Sequence, residues 1–285
     1  MNIPLFISAA VGIGSLAWYR NRRMKADKGV FSGIGWQTLR LDSTEDISPT
    51  TKKLRFALPD PGKPSGLPLT SALLTVSKPA DCRLPVARPY TPVNDLDEPG
   101  FIELMVKLYA KGKQSPHLHS LKPGDTLTFV PIPELSWKPN KYPQVALLAG
   151  GMGITPMYQL VRGILKNPED KTRIHLVWGV NEEPEMFLKD ELDALQKNHP
   201  DQLKVTYVVR IPRDRQTPYR TGMLKKEVLE EIGLGAKEGQ NKDTKVLVCG
   251  PPGMIKMLQG YKAYRHTEPG VLAEMGYKQD QVYYY

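Results

Sequence analysis

The chain has 285 residues, more than one compact core usually holds, so two domains of roughly 100 to 150 residues are expected. Hydrophobic residues at 40% and charged residues at 24% exclude wholesale disorder, and a proline count of 26 points to many turns and β connections. The net charge of +9 is no nucleic-acid signature: Arg20, Arg22, Arg23, Lys25 and Lys28 against Asp27 hold +4 of it, the remaining +5 is scattered among acids, and no basic run is interleaved with stacking aromatics.

Ile3 to Trp18 is an uncharged stretch of about 16 residues, slightly short of the ~20 that span a bilayer as a straight helix. Trp18 and Tyr19 make an interfacial end, and Arg20-Asn21-Arg22-Arg23 closes it on the side that stays cytosolic. No charge beyond the amino terminus precedes the stretch, which favours an uncleaved anchor over residues 1–23 against a signal peptide.

A polar linker follows. Residues 34 to 130 carry short β-rich segments, Thr51 to Leu58, Ala72 to Val76, Phe101 to Tyr109 and Thr126 to Val130, separated by proline and glycine turns. That pattern belongs to a small antiparallel barrel or sandwich. From Val145 the rhythm changes. Apolar runs at Val145 to Ala149, Ile174 to Trp178, Val205 to Val209 and Val246 to Cys249 alternate with helical stretches such as Pro156 to Leu165 and Glu185 to Asn198, which predicts a parallel α/β sheet. The boundary falls near Lys138 to Pro143. Glu185, Asp190 and Glu191 with Lys189 read as a solvated helix face, and the closing Tyr283-Tyr284-Tyr285 is aromatic at a place that calls for an explanation.

Three motifs carry chemistry. In Arg88-Pro89-Tyr90-Thr91-Pro92-Val93 two prolines stiffen the backbone, so an arginine fork suited to a pyrophosphate, a phenol suited to a flat ring and a hydroxyl are held in fixed relation. A rigid β-corner with an ordinary surface arginine is the rival reading. Ala149-Gly150-Gly151-Met152-Gly153-Ile154-Thr155-Pro156 sits between a strand and a helix, where glycines let backbone amides approach an anion. Its spacing is not G-x-G-x-x-G, and a tight turn without ligand is the alternative. Val248-Cys249-Gly250-Pro251-Pro252-Gly253-Met254 again closes a strand at the edge where ligands of such sheets bind. Nothing near Cys249 in the sequence offers a base, which favours a small packed group over a nucleophile. Cys82 and Cys249 lie far apart with no histidine at ligand spacing, so neither a disulfide framework nor a metal site is expected.

In this order the three motifs resemble the ferredoxin-reductase-like flavoproteins, and among them the NADH-cytochrome b5 reductase family, most of all its fungal mitochondrial form. Val106-Lys107-Leu108-Tyr109, Gly112-Lys113-Gln114-Ser115, Leu121 to Asp125 and the ending Gly276 to Tyr283 extend the likeness over residues 34–285. The resemblance implies an α+β two-domain fold: a six-stranded antiparallel β-barrel binding FAD at 34–138 and a Rossmann-like parallel-sheet domain binding NAD(P)H at 139–285, behind a short membrane anchor helix. It implies that Arg88, Pro89, Tyr90, Thr91, Val93, Lys107, Tyr109, Gly112, Lys113, Gln114, Ser115 and Thr155 serve FAD. Gly151, Gly153, Cys249, Gly250, Pro251 and Met254 would flank the nicotinamide nucleotide, with Thr91, Lys107 and Cys249 nearest the chemistry. His117 and His119 are read as surface or nucleotide-adjacent.

The implied activity is hydride transfer from NADH to FAD and single-electron delivery to cytochrome b5 or a similar haem protein. A monomer on the mitochondrial outer membrane, or alternatively the endoplasmic reticulum, completes the expectation. A flavin reductase for a different acceptor, or a flavin-binding membrane partner without turnover, are the rivals. The chain departs from the family at Met152 (usually threonine), Gln114 (methionine), Val130-Pro131 (Gly-Pro) and Arg210, where an aspartate commonly binds the ribose 2′-hydroxyl. Arginine there reverses the charge preference, so NADPH becomes a possible donor; a solvent-facing Arg210 beside Arg213 and Arg215 is the alternative.

Overall fold

The computed structural model describes residues 29–32, 35–132, 134–214, 216–234, 243–263 and 266–285, so the expected anchor and basic flank at residues 1–23 lie outside the described residues. Among the described residues no helix is long and apolar enough to cross a membrane.

The first sheet contains β1 (Gln37–Ser48), β2 (Thr51–Ala57), β3 (Ala72–Ser77), β4 (Val86–Tyr90), β5 (Phe101–Lys107) and β6 (Thr126–Ile132), with helix α1 (Gln114–Ser120) before β6. All five ladders are antiparallel, in the order β4-β3-β6-β1-β2-β5. In β2, buried Leu54 and Phe56 alternate with half-buried Lys53 and Arg55, the period-2 pattern of a strand with one face on a core. Leu39, Leu41, Leu54, Phe56, Leu73, Ile102, Leu104, Leu127 and Phe129 share that core, and the Phe56 and Phe129 rings meet edge-on at 5.0 Å. Tyr90 at one end of the sheet packs on the same core as Ile102 at the other, so the sheet curls round its own interior. The curl stops short of the closed barrel expected: β4 and β5 end the ladder and do not pair. Pro89 on β4 has no N–H to give, a residue that suits an edge strand.

The second sheet is β10 (Arg220–Thr221), β9 (Leu203–Val209), β8 (Arg173–Val180), β7 (Gln144–Gly150), β11 (Thr244–Cys249) and β14 (Val282–Tyr284), in that spatial order and parallel throughout. Alternate residues of β7 feed opposite cores: Leu147 and Ala149 one, Ala146 and Leu148 the other. Burial on both faces is why these strands read as continuous apolar runs. Helices α2 (Ile154–Lys166) and α3 (Lys189–Asn198) connect the early strands, and α4 (Pro252–Gln259) follows β11, then a short hairpin of β12 (Gly260–Ala263) and β13 (His266–Pro269). The chain runs from β7 outward to β8 and β9, then returns to β11 on the other side, so the strand order reverses between β7 and β11. A ligand crevice opens at such a reversal.

His175 of β8 is buried against Thr206 of β9, with 3.1 Å between its Nε2 and the hydroxyl. Burial, and secondarily the charge of Lys204, push its imidazole down from 6.5 to about 4. The unfolded chain therefore binds the extra proton first, and stability falls as pH drops from 6.5 towards 4. Urea unfolding at pH 7 and pH 4.5 should show that His175→Gln suppresses most of a loss of roughly 2 kcal/mol carried by this group. Equal pH dependence in both proteins would remove His175 from the account.

Candidate active site

A cleft of about 930 Å³ lies where the carboxyl ends of the parallel strands face β4 and β5. It is at the upper end of the usual range for ligand pockets. Its first wall begins with Arg88, Pro89, Tyr90 and Thr91, continues with Met105 and Lys107 of β5, and ends with Tyr109, Gly112 and Lys113 of the following turn and Gln114 and Ser115 at the start of α1. Arg88 is exposed and its guanidinium donates to its own strand, to the Ala87 carbonyl at 2.7 Å, so the fork is available to a ligand. Burial pushes the Tyr90 phenol up to about 12, leaving it a neutral ring. Tyr109 presents a ring that is 54% exposed, while Ser115 Oγ accepts the Tyr109 N–H at 3.0 Å and fixes the turn.

The second wall is glycine-built. Gly151 to Gly153 form one 3-10 turn between β7 and α2, Gly151 in the left-handed region at φ 51, and the Trp178 indole N–H donates to the Gly151 carbonyl at 2.9 Å. The amino end of the 13-residue α2 therefore opens on the cleft with its partial positive charge. Thr155, in the first turn, donates its hydroxyl to the Met152 carbonyl at 3.2 Å. Cys249, Gly250, Pro251 and Met254 line the cleft from the end of β11 and the start of α4. Burial, and then the nearby Glu134, push the Cys249 thiol up to about 12, so it stands protonated as a packing group and not as a nucleophile. Arg210 lines the far end beside Asn181, 3.4 Å from its side-chain oxygen.

Helix α2 joins the two walls. Gln159 donates to the carbonyls of Ser71 and Pro92, both at 3.2 Å, Arg162 to the carbonyl of Val93 at 2.8 Å, and Lys166 meets Asp95 at 2.7 Å and Asp97 at 3.0 Å. On the opposite side Lys107 of β5 pairs with Glu185 at 2.7 Å, both largely buried.

Three expectations change. Val93 does not line the cleft: it is buried in the core, its N–H donates to the Glu103 carbonyl at 2.9 Å and its carbonyl is taken by Arg162. Gln114 does line it, yet its buried amide is engaged, accepting from Ser77 at 2.8 Å and donating to Thr75 at 2.9 Å, so it pins α1 to β3. Glu185, read as part of a solvated face, closes the ion pair on the cleft; it precedes α3 and is not in it. Glu134, which no motif marks, also lines the cleft, and so does Tyr285, whose place at the end of the chain is explained by this packing. His117 and His119 stand apart from it, His119 bonding its ring to the Val106 carbonyl at 2.8 Å. Among the described residues no cluster of His, Cys, Asp and Glu is able to hold a metal ion.

The residues present fit two nucleotides. An exposed arginine bonded only to the backbone of its own strand, and a lysine paired with exposed Asp81 at 2.6 Å, flank flat, neutral rings on one wall, while a glycine turn under a helix amino end offers amides to phosphate on the other. An antiparallel sheet and a parallel sheet sharing such a cleft define a two-domain flavin and nicotinamide nucleotide oxidoreductase. Family comparison agrees: residues 38–133 match the oxidoreductase FAD-binding domain and residues 147–260 the oxidoreductase NAD-binding domain. The NADH-cytochrome b5 reductase 2 of Aspergillus clavatus is 43% identical over 98% of this chain and 89% of its own length, and that of Neurospora crassa 41% over 87% and 73%. Among solved structures, the cytochrome b5 reductase domain of Ulva prolifera nitrate reductase superposes with a TM-score of 0.77 at 27% identity, covering 92% of this chain and all of that one. A ferredoxin NADP+ reductase from Neisseria gonorrhoeae shares the fold at 18% identity and a TM-score of 0.67, over 89% and 99%. The chain belongs to the NADH-cytochrome b5 reductase family, and its cofactors are FAD and NAD.

Proposed function

We propose that this protein is a membrane-anchored reductase that takes electrons from NADH through FAD and delivers them one at a time to cytochrome b5 or a similar haem protein. The observation that carries the reading is the single cleft in which the Arg88 to Thr91 segment faces both glycine loops. When bound, the flavin supplies the chemistry, accepting a hydride from nicotinamide and releasing its electrons singly. The chain's own residues bind and orient. Arg88 and Lys113 are assigned to the flavin's phosphates, Tyr90 and Tyr109 to flat faces, and Thr91 and Lys107 to the edge of the flavin ring. Gly151 and Gly153 leave room for the nicotinamide nucleotide, and Cys249, Gly250, Pro251 and Met254 shape its ring pocket.

The same reading places the division between binding units at 138/139. It places the anchor at residues 1–23, on the strength of the uncharged Ile3 to Trp18 run and its basic flank, and makes the protein a monomer of the mitochondrial outer membrane. Anaerobic titration of the purified protein with NADH, then with oxidised cytochrome b5, tests the activity. Bleaching of a yellow protein followed by haem reduction is expected; a protein that takes up no FAD, or whose reduced flavin leaves the haem oxidised, refutes it.

Arg210 opens this donor site to NADPH. It stands on the cleft where the nucleotide's ribose is expected, and its one side-chain hydrogen bond among the described residues, to Asn181, is long at 3.4 Å. Arg210→Asp should lower kcat/KM for NADPH relative to NADH by about tenfold or more, since a charge-assisted hydrogen bond is worth ~1.5–3 kcal/mol. A strong NADH preference, identical in both proteins, would count against Arg210.

A further inference from the structure

Glu134 and Tyr285 line the cleft, and Tyr283 joins the two from behind it. Strand β14 lies parallel to β11, with Tyr283 beside Leu247, and the Tyr285 N–H donates to the Val248 carbonyl at 3.0 Å. That ladder carries the terminal rings to the carboxyl end of β11, where Cys249 stands. Tyr283 and Tyr285 pack edge-on with centroids 5.1 Å apart, and the Tyr283 hydroxyl donates to Glu134 Oε2 at 2.7 Å. The Tyr285 hydroxyl is buried without a hydrogen-bond partner among the described residues. Burial raises the Glu134 carboxyl above its ordinary range, opposed by the Tyr283 hydrogen bond. Burial is the main cause that pushes up both Cys249 and Tyr285, and the charge of Glu134 adds to it in each, as it does only within electrostatic reach.

Two side-chain carboxylates line the cleft among the described residues, and they differ. Glu185 is neutralised by Lys107; Glu134 makes no ion pair among the described residues. Of the cleft's cations, Arg88, Lys107 and Lys113 stand on the wall of the first sheet and Arg210 lies beside Asn181, while Glu134 keeps company with Cys249 and the closing Tyr285. A desolvated carboxylate without a cation is costly unless the ligand brings positive charge. Phosphates and riboses bring none. An oxidised nicotinamide ring does: when the C4–H bond breaks and both electrons leave with the hydrogen for the flavin, the neutral dihydropyridine becomes a pyridinium cation.

We propose that Glu134, positioned by Tyr283, faces the nicotinamide ring and stabilises the positive charge that develops there as hydride departs. The proposal rests on the flavin and nicotinamide reading above. A carboxylate held in place before the reaction needs no reorganisation as the charge appears. It also makes the cleft bind the oxidised nucleotide in preference to the reduced one, a property that can be measured without turnover.

Glu134→Gln keeps the shape of the side chain and an oxygen for Tyr283, and removes the charge. In the FAD-loaded protein, NAD+ and NADH dissociation constants are obtained by titration, and anaerobic flavin bleaching by stopped flow. Glu134→Gln should weaken NAD+ about tenfold with NADH changed less than about twofold, and slow bleaching by about ten- to a hundredfold. Glu134→Asp should restore most of the NAD+ preference, and Tyr283→Phe should fall between. Parallel changes in both affinities, or an unchanged bleaching rate in Glu134→Gln, overturn the proposal while the parent reading stands. A yellow native protein that NADH does not bleach overturns both.

Discussion

Arg88→Glu should yield a folded, colourless protein. The position of Arg88 is set by its backbone: β4 pairs with β3 at Thr75, whose hydroxyl donates to the Arg88 carbonyl at 3.1 Å. The side chain is exposed and, among the described residues, hydrogen-bonds only the Ala87 carbonyl, so its replacement leaves the fold within about 0.5 kcal/mol, as for most surface changes. Its value lies in the ligand. A charged hydrogen bond contributes ~1.5–3 kcal/mol, and a carboxylate in its place adds repulsion towards a diphosphate, so FAD affinity should fall about a hundredfold or more. Flavin absorbance per protein after gel filtration, with an unchanged circular dichroism melt, is the measurement. A yellow, stoichiometric variant would show that the diphosphate is held elsewhere.

Gly153→Ala should give the opposite combination: flavin retained, nucleotide-dependent bleaching lost. A Cβ at Gly153 would stand 2.1 Å from the Cys249 carbonyl oxygen, 2.4 Å from its carbon and 2.9 Å from the Gly250 nitrogen. All three are backbone atoms, so no side-chain rotation relieves the contact, and the turn after β7 has to part from the loop after β11. Overpacking of this kind costs about 1–3 kcal/mol and moves both halves of the nucleotide wall. Bleaching by NADH should slow by about a hundredfold, since misplacement by an ångström is sufficient for that. Gly253→Ala is the stability control, because nothing lies within 4 Å of a Cβ there. Equal melting and equal bleaching in native and Gly153→Ala protein would show that the two loops are free to separate.

The two variants test the two walls separately, and the walls were unequally legible. The Arg88 to Thr91 and Gly151 to Gly153 segments are contiguous, with their chemistry written in adjacent residues. Both lie on the cleft. Gln114 and Val93 also sit in motifs, yet their polar groups are taken by Thr75 and Ser77, and by Glu103 and Arg162, partners dozens of residues away in most cases. Glu185 looked like one charge among several on a helix; the pair with Lys107 arises because β5 and the segment before α3 converge. The long β1 carries little local signal for a related reason. Its sequence, Gln37 to Ser48, has only Leu39 and Leu41 buried, with Ile47 half-buried and the rest polar, so its strand state comes from pairing with β2 and β6 more than from alternation.

The two-part architecture can be read from the residues in order, since the change from short, turn-bounded strands to alternating apolar runs and helices is a local periodicity, and the three motifs are local too. The tertiary structure alone decided which groups remain free for a ligand. Strand order, the open β4–β5 seam and the docking of α2 consume some hydrogen-bonding groups and leave others unpaired. The closing tyrosines show this directly. As a sequence they are three aromatics at a terminus; laid along β11 they bring Tyr283 to Glu134, 149 residues away, because a parallel strand carries its carboxyl end to the same edge of the sheet as its neighbour's.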